Sequence, residues 1–388
     1  MLQKAKAIEK DIIEYRRHFH MYPELGFQEF ETANFIEKEL ERFGIQTERI
    51  AGTGVVGHLG KGRPCVALRA DMDALPVQEA NDVPYRSQKA GLMHACGHDA
   101  HVAMLLGVAK ILGQEELPSG EIRFLFQPCE EAQDENGKSG AVRMLEEGVL
   151  EGVDVIFGQH IYSEEKTGTI GLKEGYTTAG GDVFKAIISG KGCHGAFPHK
   201  GIDPISLACH IILATQTIIA RRIDPLEPAV LTVGRIEGGT ASNVIPDVVE
   251  IEGTIRYLDP KTRETLLKDF EAALKMAQLA GGDYKLEILS GYPPVKNENS
   301  VVQLVREVAT EVIGAENISP NALLGMGSED FSYFTQEVPG VFFWLGGAIG
   351  DELRPHHAPN FNIAEETLHK GTAILAECAR RYLIEYSA

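Results

Sequence analysis

An alternation of two hydrophobic periods limits most strongly what this chain can fold into. After Gly60, apolar runs of strand length alternate with stretches of helical character. Residues 66–70 form such a run, and 102–112 read as a helix. Residues 122–127 read as a strand closed by Pro128, which has no amide hydrogen to give a ladder. Residues 141–147 read as a short helix and 153–158 as another buried strand. This order predicts an α/β fold, a mostly parallel sheet with helices on both faces. Upstream, 3–19 and 29–43 read as amphipathic helices parted by the Tyr22-Pro23 turn, because proline restrains the residue before it.

The pattern changes at about Gly181. Strand 182–189, helix 203–221, strands 230–236 and 248–257, helix 260–280 and strand 284–289 follow in turn. That is β-α-β-β-α-β, the ferredoxin-like order. Afterwards the first style resumes, with helix 298–313, strand 341–345 and a C-terminal helix from about 365. A length of 388 residues suits two domains. We therefore expect one α/β domain from 1–181 and 296–388, interrupted by an α+β domain at 182–295.

Charge narrows the partners. Lys and Arg total 37 against 56 Asp and Glu, a formal net charge of −19. Such a surface repels phosphates, so neither nucleic acid nor an anionic membrane is an expected partner. The most apolar stretch, 205–220, is interrupted by His210, Thr215, Gln216 and Thr217 and reads as a packed helix. Residues 1–20 are charged throughout and lack the apolar segment of a secretory signal. The six cysteines show no framework of close spacings and read as reduced thiols, so a cytoplasmic location is expected.

Two motifs are decoys. Gly52-Thr-Gly54-Val-Val-Gly57 fits the dinucleotide fingerprint, but the following His58-Leu-Gly60-Lys-Gly62-Arg-Pro64 cannot open the required helix. It reads as a glycine-rich turn between strands. Residues 132–139 approach a phosphate loop, but Glu130, Glu131, Asp134 and Glu135 would repel a triphosphate.

Ligands of open α/β sheets bind outside the carboxyl ends of the strands. Past 66–70 come Asp71 and Asp73, past 122–127 come Glu130 and Glu131, and past 153–158 comes His160. Between the first two strands lies His94-Ala-Cys96-Gly-His98-Asp99-Ala-His101, and near the C-terminus His356-His357-Ala358-Pro359. Borderline ions such as zinc take this mixture of thiolate, imidazole and carboxylate. A lone histidine is more often a surface or core residue. Cys96 and His98 carry more weight: residues two apart do not share a helix face, so Gly97 must bend the chain for them to converge. Asp71 and Asp73 point the same way if the strand continues, with a solvated turn as the competing reading. Glu130 and Glu131, adjacent on extended chain, point to different sides. One can bind a metal while the other accepts a proton from the attacking water.

At these residues the chain resembles the aminoacylase and carboxypeptidase G family of dinuclear metal hydrolases. The closer likeness is to its N-acyl-amino-acid amidohydrolase branch, which includes hippurate hydrolases and plant auxin-conjugate hydrolases. It is carried by Arg17-His-Phe-His-Met-Tyr-Pro23-Glu24-Leu-Gly26-Phe, Arg69-Ala-Asp71-Met-Asp73-Ala-Leu-Pro76 and the 94–101 motif. Phe126-Gln-Pro-Cys129-Glu130-Glu131, Gly192-Cys-His194-Gly-Ala-Phe-Pro198-His199 and Ser242-Asn243-Val-Ile-Pro246 extend it. Gly327-Ser-Glu329-Asp330-Phe331 and His357-Ala-Pro359-Asn-Phe361 carry it nearly to the end.

The resemblance implies a metal-dependent hydrolase of N-acyl-L-amino acids. It implies two divalent ions per subunit, zinc, manganese, nickel or cobalt, with Cys96 bridging them and His98, Glu131, His160 and His357 as further ligands. Spacing alone does not choose between His356 and His357; the family ligand lies two residues before the proline, which implies His357. Glu130 would be the general base and later the acid, and Asp73 counts with the catalytic group. Asp71 stands where other branches carry a metal-binding histidine. The inserted domain would serve as lid and dimer surface, in a homodimer or higher oligomer. There His194 would polarise the scissile carbonyl in the partner's site, and Asn243 and Arg256 would hold the substrate carboxylate. The competing readings are a dipeptidase or carboxypeptidase, an N-acetyl-diaminopimelate deacetylase, and an inactive binding protein of the same fold.

Overall fold

The apolar run around Leu68 forms the strand Cys65–Asp71, buried at every residue. In the computed structural model, which describes residues 1–319 and 325–386, it is the third of the chain's first five strands. These are β1 (Gln46–Ile50), β2 (Gly54–Lys61), β3 (Cys65–Asp71), β4 (Gly120–Gln127) and β5 (Val155–Tyr162). They enter an eight-stranded sheet of order β1-β2-β4-β3-β5, then Gly340–Gly346, Ile170–Gly171 and Ile318–Ser319. The central strands β4, β3, β5 and Gly340–Gly346 run parallel. β2 is antiparallel to both its neighbours, as is Ile170–Gly171 to Gly340–Gly346. The sheet is thus mixed, with a parallel centre.

Helix His98–Leu112 is buried almost all round, which its apolar run over 102–109 allows. It packs on β3 and against helices Glu9–Met21 and Leu368–Glu385. One continuous core joins these elements, including Phe19, Leu68, Leu105, Phe124, Phe157, Phe343 and Leu375.

Several sequence expectations need correction. The helix read at 3–19 is two, Leu2–Ala7 and Glu9–Met21, parted at Ile8. The 52–57 segment is not all turn: the turn is confined to 51–53, and Gly54 starts β2. Ladders on both sides, to β1 and β4, hold these glycines extended, and such partners lie outside any local pattern. β5 continues to Tyr162 because Gly340–Gly346 pairs with it all along, so His160 lies within the strand rather than past it. Asp71 likewise closes β3 rather than following it. In the 132–139 loop the amides of Asn136 and Lys138 donate to Asp134, which leaves no phosphate cradle there.

The chain divides into two compact units. The first holds Met1–Thr177 and the chain from Lys296 onward, apart from Gly325–Glu329. The second holds Thr178–Val295 with Gly325–Glu329. Its strands are β6 (Gly180–Ser189), β7 (Ala229–Gly238), β8 (Val248–Tyr257) and β9 (Asp283–Ser290). They form an antiparallel sheet of order β7-β8-β6-β9, the ferredoxin-like arrangement. Helices Pro204–Arg222 and Pro260–Leu274 begin alike, each with an aspartate N-cap, Asp203 or Asp259, before a proline. The second ends earlier than 280, with a separate turn at Met276–Leu279. Pro204–Arg222 is long and apolar enough to cross a membrane by length and composition alone. Here it lays Ala208, Ile211, Thr215 and Ile218 into a core with Phe184, Ile251 and Phe270.

Candidate metal centre

β3 and β5 pair only from Val66 with Val155 to Arg69 with Gly158. Beyond that register the strands part, and the 94–101 segment fills the gap. Gly97 makes the turn. Its φ of +94° is a left-handed conformation, and a Cβ there would lie 2.3 Å from Ile161 Cγ2. Only glycine meets both conditions. The helix then starts at His98, so His98 and His101, three apart, share one face.

Cys96 Sγ lies 3.5 Å from His160 Nε2 and 3.7 Å from His356 Nδ1. It also gathers within 4.8 Å with donor atoms of Glu131 and His357. A separate group of the same size joins His98, Glu130 and Glu131. Cys96 and His98 do not share a group; Glu131 is what links them. All five expected ligand residues thus belong to one connected cluster, with Glu130 inside it.

The imidazoles of His98 and His160 are oriented by their far nitrogens. His98 Nδ1 donates to the backbone oxygen of Asp73 at 2.9 Å and lies 3.1 Å from its Oδ1. Its Nε2 is buried with no hydrogen-bond partner among the described residues. That nitrogen lies 4.0 Å from Glu131 Oε1 and 3.8 Å from Asp71 Oδ2. His160 Nδ1 donates to Ile161 O at 2.6 Å, leaving Nε2 as the lone pair facing Cys96. Asp73 has a second contact: Oδ2 accepts the Glu131 amide at 3.0 Å. Asp73 thus touches both His98 and Glu131.

The electrostatics ask for a cation. Burial alone would keep His98 neutral, but Asp71, Asp73 and Glu131 outweigh it and lift its pKa to about 10. Burial pushes the Cys96 thiol well up, and Glu131 and Glu130 push it further. Burial, reinforced by His101 and His356, holds His160 well below the usual imidazole range. A thiol, imidazoles and two carboxylates, with the buried Nε2 of His98 unpartnered among the described residues, form a donor set that fits a borderline divalent ion.

The family description Peptidase family M20/M25/M40 matches residues 67–381. The chain belongs to this family. It is 42% identical over 382 residues to an N-acetyl-L-cysteine deacetylase of Bacillus subtilis, covering 97% of this chain and 89% of that one. An IAA-amino acid hydrolase of Arabidopsis thaliana is 42% identical over 384 residues, covering 96% and 86%. The crystal structure of the Bacillus subtilis YXEP protein, described as a dinuclear metal binding peptidase from the M20 family, superposes with a TM-score of 0.84. It is 36% identical and covers 98% of this chain and 99% of that one. This M20-family chain is a metal-dependent amide hydrolase.

The second unit carries the remaining expected residues. Cys193–His194 pairs with Val244–Ile245, and the Gly195 amide donates to Asn243 O at 2.8 Å. His194 and Asn243 are therefore neighbours, with His194 exposed. Bonds from the Gly190 and Gly192 amides to Asp247 hold this corner beside the start of β8. Arg256 sits at the other end of β8, roughly 26 Å along the strand from Val248 at 3.3 Å per residue. There its Nη1 donates to Ser328 Oγ at 2.7 Å. The chain does not bring Arg256 to Asn243.

Sequence reasoning assigned no role to Arg69, His101, Gln127 or Asp330, yet these surround the centre. Arg69 donates to Gln127 Oε1 at 2.7 Å, Asp71 Oδ2 at 2.6 Å and Asp330 Oδ1 at 2.9 Å. His101 was findable, because its helical spacing from His98 puts both on one face. Asp330 was not, since nothing near it in sequence points at β3.

Proposed function

We propose that this hydrolase cleaves the amide of N-acyl-L-amino acids with two divalent ions held by Cys96, His98, Glu131, His160 and His357. The observation that carries the reading is the buried, unpartnered Nε2 of His98 facing Glu131, which Cys96 joins to His160. Bound divalent ions would act as Lewis acids on the scissile carbonyl and lower the pKa of water. His357 is preferred over His356 on tautomer grounds. His356 Nε2 accepts the Ser163 amide at 3.4 Å, so its Nδ1 carries the hydrogen and donates toward Cys96 Sγ. His357 instead places Nε2 3.0 Å from Glu131 Oε1.

Glu130, gathered with His98 and Glu131, takes the proton of the attacking water and returns it to the leaving nitrogen. Asp73 keeps His98 oriented and holds the amide of Glu131. Arg256 and Asn243 hold the substrate carboxylate, and His194 polarises the carbonyl. Since Arg256 and Asn243 stand at opposite ends of β8, one carboxylate meets both only if they come from two copies. That placement supports reading the protein as a homodimer, or a higher oligomer built from it. One relative named above is an N-acetyl-L-cysteine deacetylase and the other an IAA-amino acid hydrolase, which supports an amino-acid conjugate as the substrate class. Six free thiols suit the reducing cytoplasm.

The test is a panel of N-acyl amino acids, their carboxamides and dipeptides, offered to chelated protein reloaded with zinc, manganese, nickel or cobalt. Chelation should abolish turnover and reloading restore it. Loss of the charge-assisted bond to Arg256 is worth about 1.5–3 kcal/mol, so the carboxamide should lose roughly ten- to a hundredfold in kcat/KM. Arg256→Ala should erase most of that difference. Full turnover after chelation overturns the metal reading, and equal cleavage of acid and carboxamide overturns the substrate reading.

A further inference from the structure

Past Arg69 and Gly158, β5 has no partner on its β3 side. Ile161 is in this orphaned stretch, and its N–H needs an acceptor that the sheet no longer offers. The acceptor is a side chain: His101 Nε2, at 2.9 Å. A neutral imidazole accepts at one nitrogen only while the other carries the hydrogen. His101 Nδ1 lies 2.5 Å from Asp71 Oδ1. Asp71 is itself fully buried and held by Arg69 at 2.6 Å. Ile161 in turn takes the Nδ1 hydrogen of His160 on its carbonyl oxygen at 2.6 Å. The ring of His101 also packs edge-on against the His160 ring, with centroids 4.6 Å apart.

We infer that Asp71 and His101 form a positioning pair for His160. Asp71 fixes His101 with Nδ1 protonated, so that bare Nε2 replaces the missing strand partner of Ile161 and pins that residue by its N–H, while its carbonyl oxygen aims His160 Nε2 at Cys96. Asp71 thereby serves the metal centre without being a ligand: its two oxygens face Arg69 and His101. Both His101 nitrogens are engaged, so His101 is no ligand either. This assignment rests on His160 being a metal ligand.

Two measurements test it. The first uses unmodified, metal-free protein labelled with ¹⁵N at its 13 histidines. The His101 signals, identified by their loss in His101→Gln, should show a protonated Nδ1 and a bare Nε2. A protonated Nε2 overturns the assignment, because Ile161 then has no acceptor. The second is a zinc titration against a competing chelator in wild type, His101→Gln and His101→Asn. Glutamine sets its side-chain oxygen near the place of Nε2; asparagine reaches only the place of Nδ1. His101→Asn should weaken zinc about ten- to a hundredfold, and His101→Gln should keep most of the affinity. Wild-type affinity in His101→Asn overturns the inference. So does equal loss in both variants, which marks lost packing rather than a lost acceptor. If His101→Asn does not fold, the wild-type spectra decide. His160→Ala isolates the premise. Undiminished zinc binding there removes His160 from the ligand set. Lost binding there, with normal binding in His101→Asn, leaves the ligand set standing and removes the positioning pair.

Discussion

Glu130 and Glu131 are chemically identical neighbours separated by their surroundings. The Glu131 amide is tied to Asp73, and its Oε1 lies 3.0 Å from His357 Nε2. Glu130 is buried within the group formed with His98 and Glu131. Glu130→Gln should keep the metal content of wild type by elemental analysis while kcat falls about 10²–10⁴-fold, the usual worth of a positioned base. Loss of metal instead would exchange the two roles. A third glutamate makes a pH prediction. Burial, helped by the charge of Asp73, pushes Glu29 from the ordinary 4.5 up to about 7. The folded state thus holds a proton that the unfolded state has released between those values. Its contribution is intact below about pH 4.5 and is lost as pH rises toward 7. Glu29→Gln can still bond Thr53 Oγ1 and the Cys129 amide, which Glu29 contacts at 2.6 and 2.9 Å. The stability of the variant relative to wild type, from urea unfolding, should therefore rise across that window and level off above it. The rise is on the order of 3 kcal/mol at 1.36 kcal/mol per unit. A flat difference would show that Glu29 is ionised throughout.

At the scale of elements, Arg69 fastens the end of β3 to Gln127 at the end of β4 and to Asp330 at the start of helix Phe331–Glu337. Asp330 Oδ2 also takes the amide of Ala141 at 3.1 Å, adding helix Gly140–Glu146. All these carboxylates and the guanidinium are fully buried. Removing one partner strands the others, which costs about 3–5 kcal/mol. Arg69→Leu should lower stability by that amount in urea unfolding. On the second unit, Arg235 bonds Glu250 and Glu252 at 2.8 and 2.9 Å, but on an open surface. Solvent screens that ladder, so Arg235→Ala should leave the unfolding midpoint nearly unchanged. Equal effects of the two substitutions would mean that burial does not set the strength of these networks.

For the whole molecule, a chain of net charge −19 must supply a local cation to hold a carboxylate, and Arg256 is suited by its planar fork. The placement of Arg256 at the far end of β8 from the corner that holds Asn243 makes the assembly testable without a structure of it. His194→Ala and Glu130→Gln chains, each inactive alone, should regain activity when mixed and allowed to exchange. A mixed dimer carries one site with both residues intact if His194 acts on its partner. Continued inactivity after proven exchange would place His194 in its own chain's site.

The parallel centre, the ferredoxin-like order around β6 to β9 and the side chains that gather around Cys96 were legible in the sequence. Each depends on near neighbours: a period of two or 3.6, a proline that closes β4, a glycine between Cys96 and His98. The motifs also carried the family, through residues close enough together to be recognised as words. What was not legible depended on residues far apart in the chain. The extension of β5 past His160 is imposed by Gly340–Gly346, and the strand character of Gly54–Lys61 by β1 and β4. The service of Asp71 to His101, and of Arg69 to Asp330, arises because a split between two strands leaves buried donors and charges that must be matched by whatever side chain the fold brings near. Local periodicity determines which segments become strands and helices; only the tertiary structure decides which buried polar group answers which, because that pairing is enforced by desolvation rather than by sequence proximity.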